Sequence, residues 1–257
     1  MRILASLHTL LTALATCVQA QWDPPDTLLT GITARGRFLA EYDQAAWHAT
    51  DAVMSFKPEP QAAGLMLAVR RADGRWEVLF GWLTTASDTF YVTYHAEPTN
   101  RSDSFVVQVN TPPKPLVGAE RLAATALRTS LSAFGNPGRP YNVYAFPRAD
   151  GSFFIYLLPA QTDFSVFPHG ADVRYLVAPD GRQILDKHQM HNALLNLALP
   201  DSAVSGVHTV ITDDFPQDSD VFLVLARSPR RPELIATAHH NYEVHVDGSI
   251  SWRRADR

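Results

Sequence analysis

The sequence predicts an α+β protein in which antiparallel sheet dominates and a few helices pack against it. Four Asp-Gly pairs separate short apolar runs, and this dipeptide is typical of β-hairpin turns because glycine readily takes a positive φ. Three other segments have the composition or the apolar spacing of a helix. Of the 257 residues, 46% are hydrophobic and 19% are charged, which is typical of a folded globular chain.

The first half opens with a predicted helix over 37–54, where apolar residues recur at intervals of three and four. The residues before it, 21–30, are interrupted by prolines and are expected to form an extended leader. The next segments predict a hairpin turning at Asp73-Gly74 and two further strands: 64–71, 76–83, 90–98 and 104–110. The proline-rich residues 111–115 are expected to be a linker or a turn between halves.

The second half also begins with a predicted helix, the Ala- and Leu-rich residues 116–134, which end at a Gly-Asn-Pro-Gly sequence. Three hairpins are predicted around Asp150-Gly151, Asp180-Gly181 and Asp247-Gly248, over 141–160, 171–185 and 232–252. Residues 186–199 have helical spacing, 206–211 read as a strand, and 218–227 as a short helix or strand. We therefore expect two similar α+β halves, 21–111 and 116–252.

Residues 1–20 have the pattern of a signal peptide. Arg2 precedes an apolar run, and the segment ends in Val18-Gln19-Ala20, with small residues where a signal peptidase cleaves. We expect a secreted or periplasmic protein, and no later apolar run is long enough to be a transmembrane segment. Alternatively, the sequence before Cys17 resembles a bacterial lipoprotein box, which implies a lipid anchor on Cys17.

Composition and motifs argue against several function classes. With 22 basic and 26 acidic residues the formal charge is −4, so we expect no binding to nucleic acid. The sequence contains neither a Gly-x-Ser-x-Gly nucleophile motif nor a glycine-rich phosphate-binding loop. The only cysteine is Cys17, which also argues against a thiol nucleophile and a disulfide framework.

Ten histidines make metal binding the main chemical question. His188 and His191 are three residues apart in a segment of helical spacing, so both rings can share one helix face. His239, His240 and His245 lie in the last predicted hairpin. Each group either supplies metal ligands, which would need further converging donors, or forms a solvated polar surface.

The segment from His208 to Asp220 carries a more specific pattern, with a histidine on a predicted strand and an aspartate opening the next element twelve positions later. It resembles the JAB/MPN metalloprotease family, whose motif is His-x-His-Pro, a loop and then Ser-x-x-Asp. Here Val210, Ile211 and Gln217 replace its second histidine, proline and serine. The resemblance, which covers residues 206–252, implies a similar α+β topology and zinc ligation by His208 and Asp220. The family also uses an upstream glutamate as acid/base, and no glutamate here stands out by its position.

These observations favour a non-catalytic binding module with neither catalytic residues nor a cofactor, whose partner is an unknown protein or small ligand in the cell envelope. An inhibitor or immunity-type protein is a special case of this hypothesis. The alternative is a JAB-like metal-dependent peptidase or hydrolase that binds zinc. It would use His208 and Asp220, with a further ligand from Asp214, His188 or His191.

Overall fold

The computed structural model describes residues 23–84, 88–101, 103–198, 200 and 202–255. These form three α-helices, one short 3-10 helix (Pro60–Ala63) and fourteen strands in four antiparallel-dominated sheets. The predicted α+β class with mainly antiparallel sheet is therefore confirmed. Among the described helices, none combines the length and the apolarity needed to span a membrane. The expected signal peptide, 1–20, and Cys17 lie outside the described residues.

The three helices are α1 (Asp26–Met54), α2 (Ala119–Phe134) and α3 (Asp218–Ala226). The extended leader expected over 21–30 is wrong for residues 26–30, which belong to α1. Proline is tolerated at the start of a helix, so Pro25 precedes α1 without breaking it. Burial of Leu29 and Ile32 extends the apolar face beyond the predicted start at residue 37.

The first sheet contains four antiparallel strands in sequence order: β1 (Leu65–Arg70), β2 (Trp76–Leu83), β3 (Phe90–Pro98) and β4 (Phe105–Leu116). The proline-rich linker or turn expected at 111–115 is wrong, because these residues lie within β4. Lys114 pairs with Val92 and Pro115 with Tyr91. Prolines are compatible with this strand because it forms an edge of the sheet, where one side of the backbone needs no partner.

The second sheet has the strand order β5-β6-β8-β9: β5 (Tyr141–Pro147), β6 (Phe153–Pro159), β8 (Val173–Val177) and β9 (Ile184–Gln189). Here and in the other sheets all four predicted Asp-Gly turns join antiparallel strands. In each turn the aspartate carboxylate accepts the backbone N–H two residues later. This local hydrogen bond explains why the sequence predicts these turns correctly.

A two-stranded ribbon and a fourth sheet complete the fold. The ribbon pairs β7 (Val166–Gly170) with β10 (Leu194–Ala198). The helix suggested by the spacing of 186–199 is wrong, because this segment provides the end of β9 and all of β10. β9 is fixed by the hairpin with β8, and β10 by pairing with the more distant β7. The fourth sheet runs β11-β12-β13-β14 and only β11 is parallel to its neighbour: β11 (Gly206–Thr209), β12 (Glu233–Ala236), β13 (His240–Val244) and β14 (Ile250–Arg254).

Three apolar clusters hold these layers together. In one, α2 packs between strands of the first and second sheets. In the second cluster, α1 packs on both of these sheets and on α3. This cluster contains residues from both sides of 111–115, such as Val78 and Tyr156. The third joins α1 and α3 to the fourth sheet. The first turn of α3 is thereby fixed at a junction of sheets, where the polar cluster described next is buried.

Candidate metal centre

Three histidines and one aspartate from four separate elements meet beneath the surface. They are His169 in β7, His191 just after β9, His208 in β11 and Asp220 in the first turn of α3. The Nε2 atoms of the three rings lie 3.0, 3.2 and 3.1 Å from Oδ1 of Asp220. One donor atom from each of the four residues lies within 4.8 Å of every other. We call this set the His3Asp cluster.

The His3Asp cluster is almost completely shielded from solvent. Exposure of the side chains is 3% for His169 and His208, 8% for His191 and 0% for Asp220. Moving a carboxylate out of water is costly unless positive charge or a metal ion compensates it. The complete burial of Asp220 therefore implies that positive charge, from protons or from a cation, lies beside its carboxylate.

Two further carboxylates fix the orientation of two of the rings. Nδ1 of His191 donates to Asp172 at 3.0 Å, and Nδ1 of His208 donates to Glu233 at 2.9 Å. Glu233 is itself held by the buried guanidinium of Arg227, at 2.8 Å. Because Nδ1 of His191 and Nδ1 of His208 are engaged in this way, the Nε2 atom of each ring is directed at Asp220. Histidine ligands in metalloproteins are oriented by carboxylates in the same way.

Asp220 is positioned by the start of α3. Its Oδ2 accepts the backbone N–H of Gln217 at 2.7 Å, one half of a capping box that satisfies a free donor at the helix terminus. The cap uses one oxygen and leaves Oδ1 to face the three imidazoles. The capping signal and the candidate ligand are thus the same side chain.

Glycine permits close backbone contacts at two points around the cluster. A Cβ at Gly206 would lie 1.9 Å from Oε2 of Glu233, so this carboxylate can occupy its place beside His208 only if residue 206 lacks a side chain. Gly170, next to His169, has a φ of +83°, and a Cβ there would lie 2.1 Å from the carbonyl oxygen of Ala193. A side chain at either position would therefore displace a group that holds His208 or His169 in place.

Two of the three rings approach Asp220 without an aligned hydrogen bond. The buried Nε2 atoms of His169 and His191 lack an aligned hydrogen-bond partner among the described residues, although Asp220 is close to both. Bonds of about 2.0–2.1 Å to a tetrahedral zinc ion place donor atoms about 3.3–3.4 Å apart. The observed N···O separations of 3.0–3.2 Å are slightly shorter than this spacing and also lie within hydrogen-bonding distance, so they are compatible with both arrangements.

Electrostatics in the cluster are dominated by the negative charge of its carboxylates. Burial alone would lower the pKa of both His191 and His208, but Asp220, Asp172 and Glu233 raise it to about 10 for His191 and about 9 for His208. Burial would raise the pKa of Asp220, yet the facing imidazoles hold it well below its usual range. The site therefore strongly favours positive charge at its centre, whether from protons or from a cation.

Of the ligands suggested by the sequence, His208 and Asp220 are brought together and Asp214 lies elsewhere. The Asp214 carboxylate contacts the rings of His239 and His240, at 3.0 and 3.2 Å, and its pKa is lowered by hydrogen bonds that outweigh burial.

Of the other histidines named from the sequence, one belongs to the His3Asp cluster and the rest lie outside it. His191 joins the cluster, but from a position after a strand instead of from a helix. His188 contacts Gln217 at 2.9 Å and Asp213 at 3.2 Å, and His245 contacts Ser251 and Glu243 at the surface.

Sequence reasoning did not identify His169, Asp172 or Glu233. His169 lies in a short ribbon strand with no ligand motif around it, and its partners are 22 to 51 residues away along the chain. Asp172 meets His191 across the β8–β9 hairpin, and Glu233 lies beside His208 because β12 pairs with β11. His169 and Asp172 are only three residues apart in the chain, but such pairs occur too often to indicate a site.

The chain was compared with models of protein families, with curated proteins and with solved structures, and none of the three comparisons found a match.

Proposed function

We propose that this protein binds one divalent transition-metal ion, zinc by its donor set, through His169, His191, His208 and Asp220. The observation that carries the proposal is the convergence of three buried imidazole Nε2 atoms on one carboxylate oxygen. Imidazole and carboxylate donors without thiolate suit zinc and its neighbours in the first transition series. The ion would join the ribbon, β11, α3 and the end of β9.

The charges around the cluster support a divalent ion. Asp172, Asp220 and Glu233 contribute three negative charges, and Arg227 contributes one positive charge. One divalent cation bound to neutral histidines would neutralise the remaining two negative charges. Without the ion, the raised pKa values of His191 and His208 let two protons supply the same charge.

We propose that the metal stabilises the fold of an exported, non-catalytic binding protein, bound to the cell envelope or secreted. Structural zinc sites are typically closed by four protein donors, whereas catalytic sites keep a position for water or substrate. Four buried protein donors are present here. An ion joining separate sheets would provide the cross-link that a chain without a disulfide framework lacks.

Metal-dependent hydrolysis, by a JAB-like or other mechanism, is the second candidate, and one feature favours it. A cavity of about 50 Å³, room for one or two waters at roughly 30 Å³ each, is lined by His169, Asp172 and Ser219. A water or substrate atom could approach the metal through this cavity.

Elemental analysis of the full chain, purified without a histidine tag and dialysed against micromolar zinc, tests the metal proposal. We expect close to one zinc per chain, lost in His169→Ala and Asp220→Ala and retained in His239→Gln, whose side chain is 62% exposed. Circular dichroism checks that each variant is folded. A folded wild-type protein that takes up no zinc, or cluster variants that keep it, would contradict the proposal.

Cobalt substitution separates the two candidates. In a structural site, the visible spectrum of the Co²⁺ protein should be unchanged by azide and the zinc protein should cleave neither peptides nor esters. In a hydrolase, azide should alter the spectrum and zinc should support cleavage. Absence of any Co²⁺ spectrum would count against metal binding itself, which keeps the outcomes distinct.

A further inference from the structure

A groove on the surface of the protein collects several large apolar side chains that face solvent. Its volume is about 670 Å³, within the range of small-molecule sites. Trp47, Phe164 and Leu131 line it, with exposures of 52%, 85% and 38%. Exposed apolar side chains gathered in one concave surface are typical of a binding site.

The charge of this groove comes from Asp43 of α1. One oxygen of Asp43 accepts the hydroxyl of Tyr144 at 2.8 Å, and no described residue donates to the other oxygen. Burial raises the pKa of Asp43, against the opposite effect of the Tyr144 hydrogen bond. A half-buried carboxylate without a cation partner is costly and is frequent at functional sites.

No basic side chain among the described residues lining the groove is available to compensate Asp43. Arg227 is the one arginine there and its side chain is 1% exposed. Its guanidinium binds Glu233 and the carbonyl oxygens of Arg231 and Pro232. Among the described lining residues, Asp43 therefore carries the only formal charge that a ligand in the groove can reach.

The groove also leads inwards. It shares Asp43, Tyr144 and Phe167 with the small cavity that is lined by His169 and Asp172. Asp43 thus lies where the open, aromatic-lined part of the groove narrows towards the His3Asp cluster. A ligand held at Asp43 would occupy this entrance.

We propose that the groove binds an organic ammonium ion, a protonated amine carried on an apolar or aromatic group. The ammonium would pair with Asp43, and the apolar part would lie against Trp47 and Phe164, whose rings also attract cations. A neutral ligand would leave the Asp43 carboxylate desolvated and unpaired, and an anionic ligand would be repelled by it. Charge complementarity therefore selects the cation.

Calorimetric titration with three probes that share a 2-phenylethyl group tests this proposal: 2-phenylethylamine, 2-phenylethanol and 3-phenylpropionate. The metal-loaded full chain should bind the amine at least about 10-fold more tightly than the alcohol, because a hydrogen bond to a charged group outweighs a neutral one. It should bind the propionate most weakly. Equal binding of the three probes, or no binding of the amine at millimolar concentration, would overturn the proposal.

Two variants and one control locate the effect. Asp43→Asn should remove the preference for the amine over the alcohol, and Trp47→Ala, at an exposed position, should weaken both severalfold. Asp51→Asn is the control, because Asp51 is an exposed carboxylate of the same helix that does not line the groove. Retention of the preference in a folded Asp43→Asn variant, or its loss in Asp51→Asn, would overturn the assignment to Asp43. Repeating the titration after zinc removal separates this proposal from the metal site, because the amine preference does not require the ion.

Discussion

Two aspartates in the first turn of α3 are equally buried and have different partners. Asp218 is 1% exposed and lies within 2.8 Å of the guanidiniums of Arg35 and Arg174, and it accepts the hydroxyl of Tyr156. Asp220 is 0% exposed and faces the three imidazoles. Residues two apart on a helix point in nearly opposite directions, so one turn of α3 supports both arrangements.

The difference between these partners determines what each aspartate can do. Arginine stays protonated at any ordinary pH, so Asp218 has permanent ion pairs that fasten α3 to α1 and the second sheet. Imidazole releases its proton and then offers a lone pair, so the partners of Asp220 can exchange protons for a metal ion. The first arrangement is a fixed contact, and the second is a candidate binding site.

Removing each carboxylate in turn should separate the two roles. Asp220→Ala should weaken zinc binding by more than about 100-fold, beyond the 10- to 100-fold effect typical of partners that only orient a ligand. Asp218→Asn should keep one zinc per chain while losing about 3 kcal/mol of unfolding free energy, as when one member of a buried ion pair is removed. Competition with a chromophoric chelator and urea denaturation provide the two measurements.

The contrast also predicts how chelation acts. Stripping zinc from the wild type should lower Tm by about 10 °C, as loss of a ligand at 1,000-fold excess over Kd costs about 4 kcal/mol. Asp218→Asn should show the same decrease from a lower starting value. A Tm of Asp220→Ala that still falls on chelation would show that the ion binds elsewhere.

Zinc affinity should rise steeply with pH. Because the pKa values of His191 and His208 are raised to about 10 and about 9, both are protonated in the metal-free protein from pH 6 to 8. Binding must then displace two protons, and Kd should fall about 100-fold per pH unit. Calorimetry in buffers of different ionisation enthalpy measures the protons released, and a value below one would contradict this account.

Stability of the metal-free protein should change with pH in the opposite direction. A pKa raised in the folded state gives stability that is complete below the unfolded value, near 6.5 for histidine, and is lost as pH rises through the folded value. The metal-free protein should therefore lose stability between pH 7 and 10, whereas acid should favour loss of zinc. Urea midpoints across this range, with and without zinc, check the two signs.

Changes to the carboxylate behind His208 should have an intermediate effect. Glu233→Gln should weaken zinc binding 10- to 100-fold, the usual effect of losing a carboxylate that orients a histidine ligand. Gly206→Ala should act in the same direction, because its Cβ would displace Glu233. An affinity unchanged in both variants would exclude an orienting role for Glu233.

The smallest effect is expected at His188. It is 26% exposed and contacts Gln217 and Asp213 outside the His3Asp cluster. His188→Gln should change zinc affinity by less than about threefold, since neither a donor nor its orienting partner is altered. A loss as large as that of His169→Ala would make His188 a ligand.

Local chemistry explains which parts of the fold the sequence predicts. An Asp-Gly turn is stabilised within four residues, and α2 carries its own apolar periodicity, so both are visible in short windows. The ribbon strand β10 depends instead on pairing with β7, 28 residues earlier, and its helical spacing is misleading. Residues 111–115 likewise form a strand only because β3 lies beside them.

In the candidate site, too, the sequence predicts what depends on neighbouring residues and misses what depends on distant ones. His208 and Asp220 could be named because a histidine on a predicted strand is followed, twelve positions later, by an aspartate that opens the next element. Asp214 lies close to both in the chain, but its carboxylate faces His239 and His240. His169 reaches the cluster only through the pairing of β7 with β10, which no local pattern of residues encodes.

The four donors of the His3Asp cluster come from segments that must dock before any of them can meet, and each side chain is then at least 92% covered. The cavity of about 50 Å³ beside His169 has room for a water or two but not for a hydrated ion, so departure of the metal must wait for a local opening of the ribbon or of α3. We expect exchange of the bound metal with isotopically labelled zinc to take hours, even where equilibrium affinity is moderate. Once loaded, the protein would keep its metal through long periods of scarcity.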